Sequence, residues 1–483
     1  MNGTWQARGM AARAVALLAA GILVAGCASS TATPAAGTPG ASTAPSASAA
    51  PATAAASEAP TASPTPAPTG PSQAEIDAAL NTPTTLTYWS WDLSAKASVD
   101  EFEKLHPAIK INLTNVGVGP AEYQKVRTAL AAGTGVPDIV FMEGSTVPAF
   151  ALTNSLLDLG SLGASGLQDL FLPAAWSSGV VGSQVLGLPV GSNATASYYR
   201  KDLFTQAGIS TPPATWDEFA ADAKILKDKT GAGIADFTPN DAGLIYAWMY
   251  EAGITPFDWT PGSTHVTVQL NSPDMKKLMA YWQGLINAGY VGSTAGWVDA
   301  YWQAFNSNSI ATWQAGVWGS PVLQGDTKTA TGAWNVAPWP QWTAGGQAGA
   351  LWQGGVDDVV MKASANPIAA YEFLKFRSTS PQFAVEKYTK WGWDPVLKSV
   401  VADPAWLYTK DPYLDQNANV VWAQELSSVG PSWHWLPFME YVTSSYVDTL
   451  GKAAADKTDL GAGLDAWQQA VVTYAQQQGF TVN

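Results

Sequence analysis

Between Thr84 and Glu143 the apolar pattern switches repeatedly between a period of two and a helical period. TTLTYW alternates, with Leu86 and Tyr88 on one side. Ser94 to His106 then carries Val99, Phe102 and Leu105 at helical spacing and stops before Pro107. Ile109 to Val116 reads as a strand, Tyr123 to Ala132 as a helix closed by Gly133, and Pro137 to Phe141 as a short buried strand. Strand, helix, strand, helix, strand with short connections predicts parallel strands joined by helical crossovers, so an α/β sheet. The next section has the same style. Leu186–Val190 and Ala196–Arg200 read as strands, and Thr215-Trp216-Asp217-Glu218 as a capping box opening a helix to about Lys227. Ser272-Pro273 opens a helix whose apolar face is Met275, Leu278, Met279, Trp282 and Leu285. Further strands are predicted at Ile310–Trp313, Trp334–Pro338 and Val356–Met361, a helix after Asn366-Pro367, and helix from Leu436 to Gln478.

The first residues predict a leader. Arg8 and Arg13 precede the apolar run Ala14–Ala25, and LVAGC ends at Cys27, the one cysteine of the chain. A basic start, a short apolar run and small residues at the cut describe a secretory signal over 1–26, too short to span a bilayer comfortably. LVAGC resembles a bacterial lipobox, with Val24 where Leu is usual; this implies lipidation of Cys27. From Ala28 to Pro71 the chain is Ala, Ser, Thr, Pro and Gly with one charge, Glu58, and cannot bury a core. Residues 27–72 therefore read as a lipidated cysteine and tether. A net charge of −14 without a basic stripe argues against nucleic acid and against direct docking on an anionic membrane. His106, His265 and His434 lie far apart, so no metal site is expected. A lone cysteine excludes an intrachain disulfide.

The chain holds 23 tryptophans, more than a core of this size is expected to need. Trp216, Trp282 and Trp467 sit in helical patterns and read as core. Others stand in Gly-, Ser- or Pro-bearing stretches: Trp91, Trp313, Trp318, Trp352, Trp391, Trp393, Trp433 and Trp435. An indole at a loop offers a flat apolar face and one N–H donor. A pyranose has an apolar C–H face ringed by hydroxyls, so indoles beside carboxylates or amides form what a sugar pocket requires. Asp92, Glu143, Asn193, Asp357, Asp358 and Asp394 are the nearby acceptors in sequence. Glu143 also lies at the carboxyl end of its strand, where open α/β sheets bind ligands. For Glu143 a helix N-terminal charge, and for Asp357-Asp358 a solvated turn, account for the residues equally well.

The ordered series YWSW, FEKLHPAIKINL, YQKVRTALAAGTGVPDIVFME, VLGLPVGSNATASYYRKDLFTQAGISTPPATWDEF, SIATWQAGVWGSPVL, VAPWP, WQGGVDDVVMKASANPIAAYEFLKF and WGWDP resembles the extracellular solute-binding proteins of carbohydrate importers. The resemblance covers nearly all of 84–483. It implies a two-lobed periplasmic-binding-protein-like α/β fold with a hinge and an inter-lobe ligand cleft. Lobe 1 is expected over 84–190 and 350–398, lobe 2 over 191–349 and 399–483. It also implies a ligand ringed by Trp91, Asp92, Glu143, Asn193, Trp318, Trp352, Gly354, Gly355, Trp393 and Asp394. Trp248, Asp357, Trp391 and Trp435 complete the candidate set. Met142-Glu143 fall in a stretch that varies within the family, and WQGGVDD has two acids where small or hydroxyl residues are more usual; both bear on which sugar is bound. The expectation is a monomeric, non-enzymatic protein without cofactor, lipid-anchored outside the cell, that captures a sugar for the transmembrane subunits of an ATP-driven permease. A secreted glycosidase with a carboxylate pair, a binding protein for a polyol or other non-sugar, and a sensor partnering a membrane kinase are the alternatives.

Overall fold

The computed structural model describes residues 70–483 except 347 and 432. The signal segment, Cys27 and the tether up to residue 69 lie outside the described residues. Strand β1 (Thr84–Trp89) buries Leu86 and Tyr88 completely. It pairs in parallel with β2 (Ile109–Thr114) on one side and β3 (Ile139–Glu143) on the other. The crossovers are the helices Ala95–Leu105 and Pro120–Ala132. In the first, Val99 and Phe102 are buried, but Leu105 is 56% exposed. Each i+3 step falls about 60° short of a full turn, so two steps carry Leu105 off the face that Val99 defines.

The sheet is completed in an order the sequence did not suggest. β4 (Gly187–Gly191) and β9 (Val356–Val360) give the order β2-β1-β3-β9-β4, with β9 antiparallel to both its neighbours. A second sheet is built on β5 (Ala194–Arg200). β6 (Thr312–Gly316) lies on one edge of β5, with β7 (Trp334–Ala337) and β8 (Ala350–Leu351) on the other, all antiparallel. The chain thus passes from one sheet to the other between Gly191 and Ala194 and returns between Leu351 and Val356. Ala350–Leu351, expected in lobe 1, pairs with the second sheet, so the return crossing starts at Trp352.

The helical caps form as the residues predict. Thr215 Oγ1 accepts the Glu218 N–H at 3.1 Å and Glu218 Oε2 accepts the Thr215 N–H at 3.2 Å. The helix Pro273–Asn287 buries Met275, Leu278, Met279, Trp282 and Leu285. The tail, expected as continuous helix, is divided into Met439–Asp448, Leu450–Ala455 and Leu460–Gln477. The core takes more indole than expected: Trp216, Trp248, Trp282, Trp334, Trp339, Trp422 and Trp467 are each under 2% exposed. Trp216 meets Trp282 and Trp339 edge-on at 5.5 and 5.9 Å, so one nest holds several of them.

Candidate functional site

The crossings are tied to one another. Asp394 accepts the Ser192 N–H at 3.1 Å, the Ser192 hydroxyl and the Asn193 N–H at 3.4 Å. The Asn193 carbonyl accepts the Trp352 N–H at 3.0 Å. Asn193 has φ +56°, a left-handed backbone that asparagine tolerates better than most residues, and its Oδ1 has no partner. Three stretches, 192–193, 352–355 and 393–394, therefore form one hydrogen-bonded bundle between the sheets.

Beside this bundle, under the first sheet's carboxyl edge, sits a buried ion cluster. The Arg377 guanidinium donates to Asp358 at 2.6 Å, to Ser98 Oγ at 2.9 Å and to Asp92. Tyr88 Oη donates to Asp358 at 2.6 Å. Burial opposes ionisation of Asp92, but Arg377 and the Ser94 hydrogen bonds hold its carboxyl below the usual range. Asp92 is fully desolvated and accepts Trp393 Nε1–H at 2.7 Å. It is expected as a ligand contact; the structure makes it the residue that orients Trp393, because its oxygens are taken by Arg377, Ser94 and the indole. Trp393 and Trp91 both meet Phe141 edge-on, at 5.8 and 4.8 Å, and Trp91 also meets Tyr123 at 5.8 Å. Both indoles keep part of their surface open.

The second sheet contributes the other aromatic group. Trp318, at the start of the helix Gly319–Asp326, meets Trp352 edge-on at 5.6 Å, Trp297 at 5.6 Å and the buried Trp313 at 5.5 Å. Trp352 lies against Gly243, where a Cβ would fall 2.4 Å from the indole nitrogen, so only glycine fits there. Gly243 opens the helix Gly243–Glu251, and Asp241 just before it accepts the Gly243 N–H at 2.8 Å and Trp297 Nε1–H at 2.7 Å.

Glu143, at the end of β3, is held by Tyr123, the ring that Trp91 meets, and feels the charge of Asp241. Tyr123 Oη accepts its N–H at 2.9 Å and donates to Oε2 at 3.3 Å. Desolvation first, then the charges of Asp241 and Glu440, push the Glu143 carboxyl up to about 7 against the Tyr123 hydrogen bond. Glu440, from the helix Met439–Asp448, is itself held by Arg127 in a two-point ion pair. Gly144 and Gly354 approach so closely that a Cβ on Gly144 would fall 2.5 Å from the Gly354 carbonyl. Gly354 and Gly355 take φ +78° and +90°, which let the return crossing turn beside this wall.

Some candidates lie elsewhere. Trp248 stacks on Trp282 at 3.9 Å and is 1% exposed. Its helix is buried on every side except at Tyr250, so the indole has only core to enter. Asp357 is buried within β9, accepts Ser178 Oγ–H at 2.9 Å and packs under Gly187. Burial pushes its carboxyl well up. The solvated-turn reading of Asp357 and Asp358 fails because β9 is a central strand with both faces covered. Trp391 ends the helix Pro381–Trp391 with the Lys390 ammonium 5.7 Å over its ring; among the described residues it makes none of the ring contacts that join the others. Trp435 is 5% exposed and lies against Gly354.

Sequence reasoning missed Asp241, Trp297 and Arg377. Trp297 stands in STAGWVD and meets the same criterion as the other loop indoles; it is 46% exposed with φ +64°. Arg377 sits in an apolar helix, and nothing in its neighbourhood announces two buried carboxylates. Among the described residues no group of three or more His, Cys, Asp or Glu side chains is placed to hold a metal. No described helix is long and apolar enough to cross a membrane.

Two sheets joined by a tied bundle of crossings, with half-open indoles beside each sheet, define a hinged ligand-binding protein. Residues 88–382 match the bacterial extracellular solute-binding protein family, and the chain belongs to it. The lactose-binding protein of Rhizobium radiobacter is 27% identical over 307 residues, 60% of this chain and 69% of that protein. The arabinooligosaccharide-binding protein of Bacillus subtilis (strain 168) is 24% identical over 364 residues, covering 72% of this chain and 81% of that protein. An ABC transporter associated binding protein from B. animalis subsp. lactis Bl-04, solved in complex with beta-1,6-galactobiose, superposes with a TM-score of 0.72 at 29% identity. That superposition covers 83% of this chain and all of the other. The family is one of binding proteins of ABC transporters, which are non-enzymatic.

Proposed function

We propose that this protein captures a sugar outside the cell and delivers it to the transmembrane subunits of an ATP-driven importer. The observation that carries this reading is the presence of half-open indoles beside both sheets, Trp91 and Trp393 at the first and Trp318 and Trp352 at the second, with the Glu143 carboxyl on Tyr123, which Trp91 meets. Indole faces suit the C–H face of a pyranose, and carboxylates suit its hydroxyls. The sugar ligands named for the relatives support the same class. The protein acts as a monomer held to the membrane through a lipid on Cys27. Its lobes are 84–190 with 352–398 and 191–351 with 399–483, the boundary moved from 350 because Ala350–Leu351 pair with the second sheet. A ligand touching both lobes binds the closed form better and so draws the hinge shut.

The test is a thermal-shift screen of the purified chain against mono- and oligosaccharides, with tryptophan fluorescence as a second readout. A sugar at 100 times its Kd adds about 2.7 kcal/mol of stability. A shift with one sugar that is lost in Trp91→Ala and Trp352→Ala supports the proposal. Failure of every sugar to shift the transition, with a polyol or other non-sugar succeeding, overturns it.

A further inference from the structure

Trp297 is held open against the hydrophobic effect, which would bury an indole. Its ring is 46% exposed, and its backbone takes φ +64°, a left-handed conformation that a bulky side chain adopts only under constraint. The constraint is visible. Ala235–Asp236 pairs in parallel with Val291–Gly292, which sets the two following loops side by side. Asp236 Oδ1 accepts the Thr294 N–H at 2.8 Å. Asn240 Oδ1 accepts the Gly296 N–H at 2.7 Å, and Asn240 Nδ2 donates to the Gly296 carbonyl at 3.1 Å. Asp241 Oδ2 then accepts the indole N–H itself at 2.7 Å. Three side chains of one loop thus fix the other in the strained form that turns its tryptophan outward.

The open ring also continues a row. Trp352 meets Trp318 at 5.6 Å, Trp318 meets Trp297 at 5.6 Å, and Trp297 meets Trp302 at 5.9 Å. The row runs from the indole seated on Gly243 to the exposed Trp297. Among the described residues the ring contacts of Trp297 (Trp302, Trp313 and Trp318) and its hydrogen-bond partner Asp241 all fall within 191–351. Its place therefore does not depend on the angle between the lobes. Asp241 lies near enough to Glu143 for its charge to raise that carboxyl, so the indole it holds is on the side of the second sheet toward Glu143.

We infer that Trp297 is a ligand-stacking residue, the outermost ring of the second sheet's wall, and that Asp241 is the positioning residue that sets its angle. An indole already fixed through its N–H loses little freedom when a sugar ring lies on it, so the contact is pre-organised. The inference rests on the sugar-capture reading and adds to it a binding residue and the group that holds that residue in place.

Calorimetry on the full chain, with the sugar that gives the largest shift in the thermal screen, tests it, and thermal melts report that each variant is folded. Trp297→Ala is expected to raise the Kd roughly tenfold or more. Asp241→Ala is expected to raise it severalfold in the wild-type background, but by about twofold at most in Trp297→Phe, which has no N–H to hold. A fluorine NMR spectrum of the chain labelled with 5-fluorotryptophan supplies a readout on the unaltered sequence. The resonance missing from Trp297→Phe is expected to move when the sugar is added. The resonance missing from Trp342→Phe, an exposed indole packed instead on Trp216 and Tyr281, is expected to stay. An unchanged Kd in Trp297→Ala, or a Trp297 resonance that the sugar leaves in place, overturns the stacking role. An equal effect of Asp241→Ala in both backgrounds overturns the positioning role. Each of these results leaves sugar capture standing, whereas failure of every sugar to bind overturns both.

Discussion

Trp352 and Trp248 are the same side chain in opposite settings, and substitution separates them. Trp352 is half-open, lies on Gly243 and meets Trp318 edge-on. Trp352→Ala is expected to weaken sugar binding strongly while moving the melting temperature of the ligand-free protein little. Trp248 is fully enclosed against Trp282, so Trp248→Ala removes a core ring and is expected to cost about 3–5 kcal/mol, read by urea unfolding. Glu143 contributes a pH dependence to stability. Its carboxyl is raised to about 7 from the model-compound value of 4.5, chiefly by desolvation. A raised acid binds more protons in the native state than in the unfolded chain between those values. Its contribution is therefore complete below 4.5 and lost as pH rises through about 7. Glu143→Gln is expected to flatten the fall in thermal stability between roughly pH 5 and pH 7. An unchanged slope would sink that assignment.

At the scale of elements, the crossings depend on one carboxylate. Asp394 accepts from Ser192 and Asn193 and so fixes the first crossing to the third. Asp394→Ala leaves those buried donors unpaired and is expected to cost about 1–3 kcal/mol, measured by denaturant unfolding. Arg377 anchors a different element, tying its helix to the loop after β1 and to β9. Arg377→Met leaves Asp92 and Asp358 as two buried carboxylates without their cation, keeping only the donors of Ser94, Trp393 and Tyr88; a loss of about 3–5 kcal/mol is expected. Helices and strands were legible because their periods and caps are local: Thr215–Glu218 and Ser272–Pro273 specify helix starts wherever the helix goes. The parallel trio β1, β2 and β3 was legible for the same reason, since consecutive elements are neighbours. The places of β4 and β9 were not. Both reach their sheet from distant parts of the chain, and the pairing of Asp358 with Phe141 leaves no mark on either segment.

For the whole molecule, Arg127 and Glu440 form a two-point ion pair between the first and last parts of the described chain. In the proposed lobe assignment they stand on opposite sides of the hinge, and the pair favours whatever conformation keeps the two lobes as close as they are here. Each is about one-third exposed, so the pair contributes on the order of 0.2–1 kcal/mol. Arg127→Ala is expected to raise the Kd for the sugar by at most about fivefold and to enlarge the ligand-free radius of gyration seen by small-angle scattering. A Kd and scattering profile identical to wild type would show that the pair has no part in closure.

By itself the sequence determined the α/β class, the ends of most helices, and a set of loop indoles and carboxylates with the chemistry of sugar recognition. Those properties reside in spacing and side-chain type. Tertiary structure alone decided which of them stay open and which are enclosed. It withdrew Trp248 into the core, turned Asp92 and Asp394 into supports, and brought Asp241 and Trp297 beside residues far away in the chain. Whether an indole is open or enclosed depends on what the rest of the chain packs against it, and no local pattern carries that information.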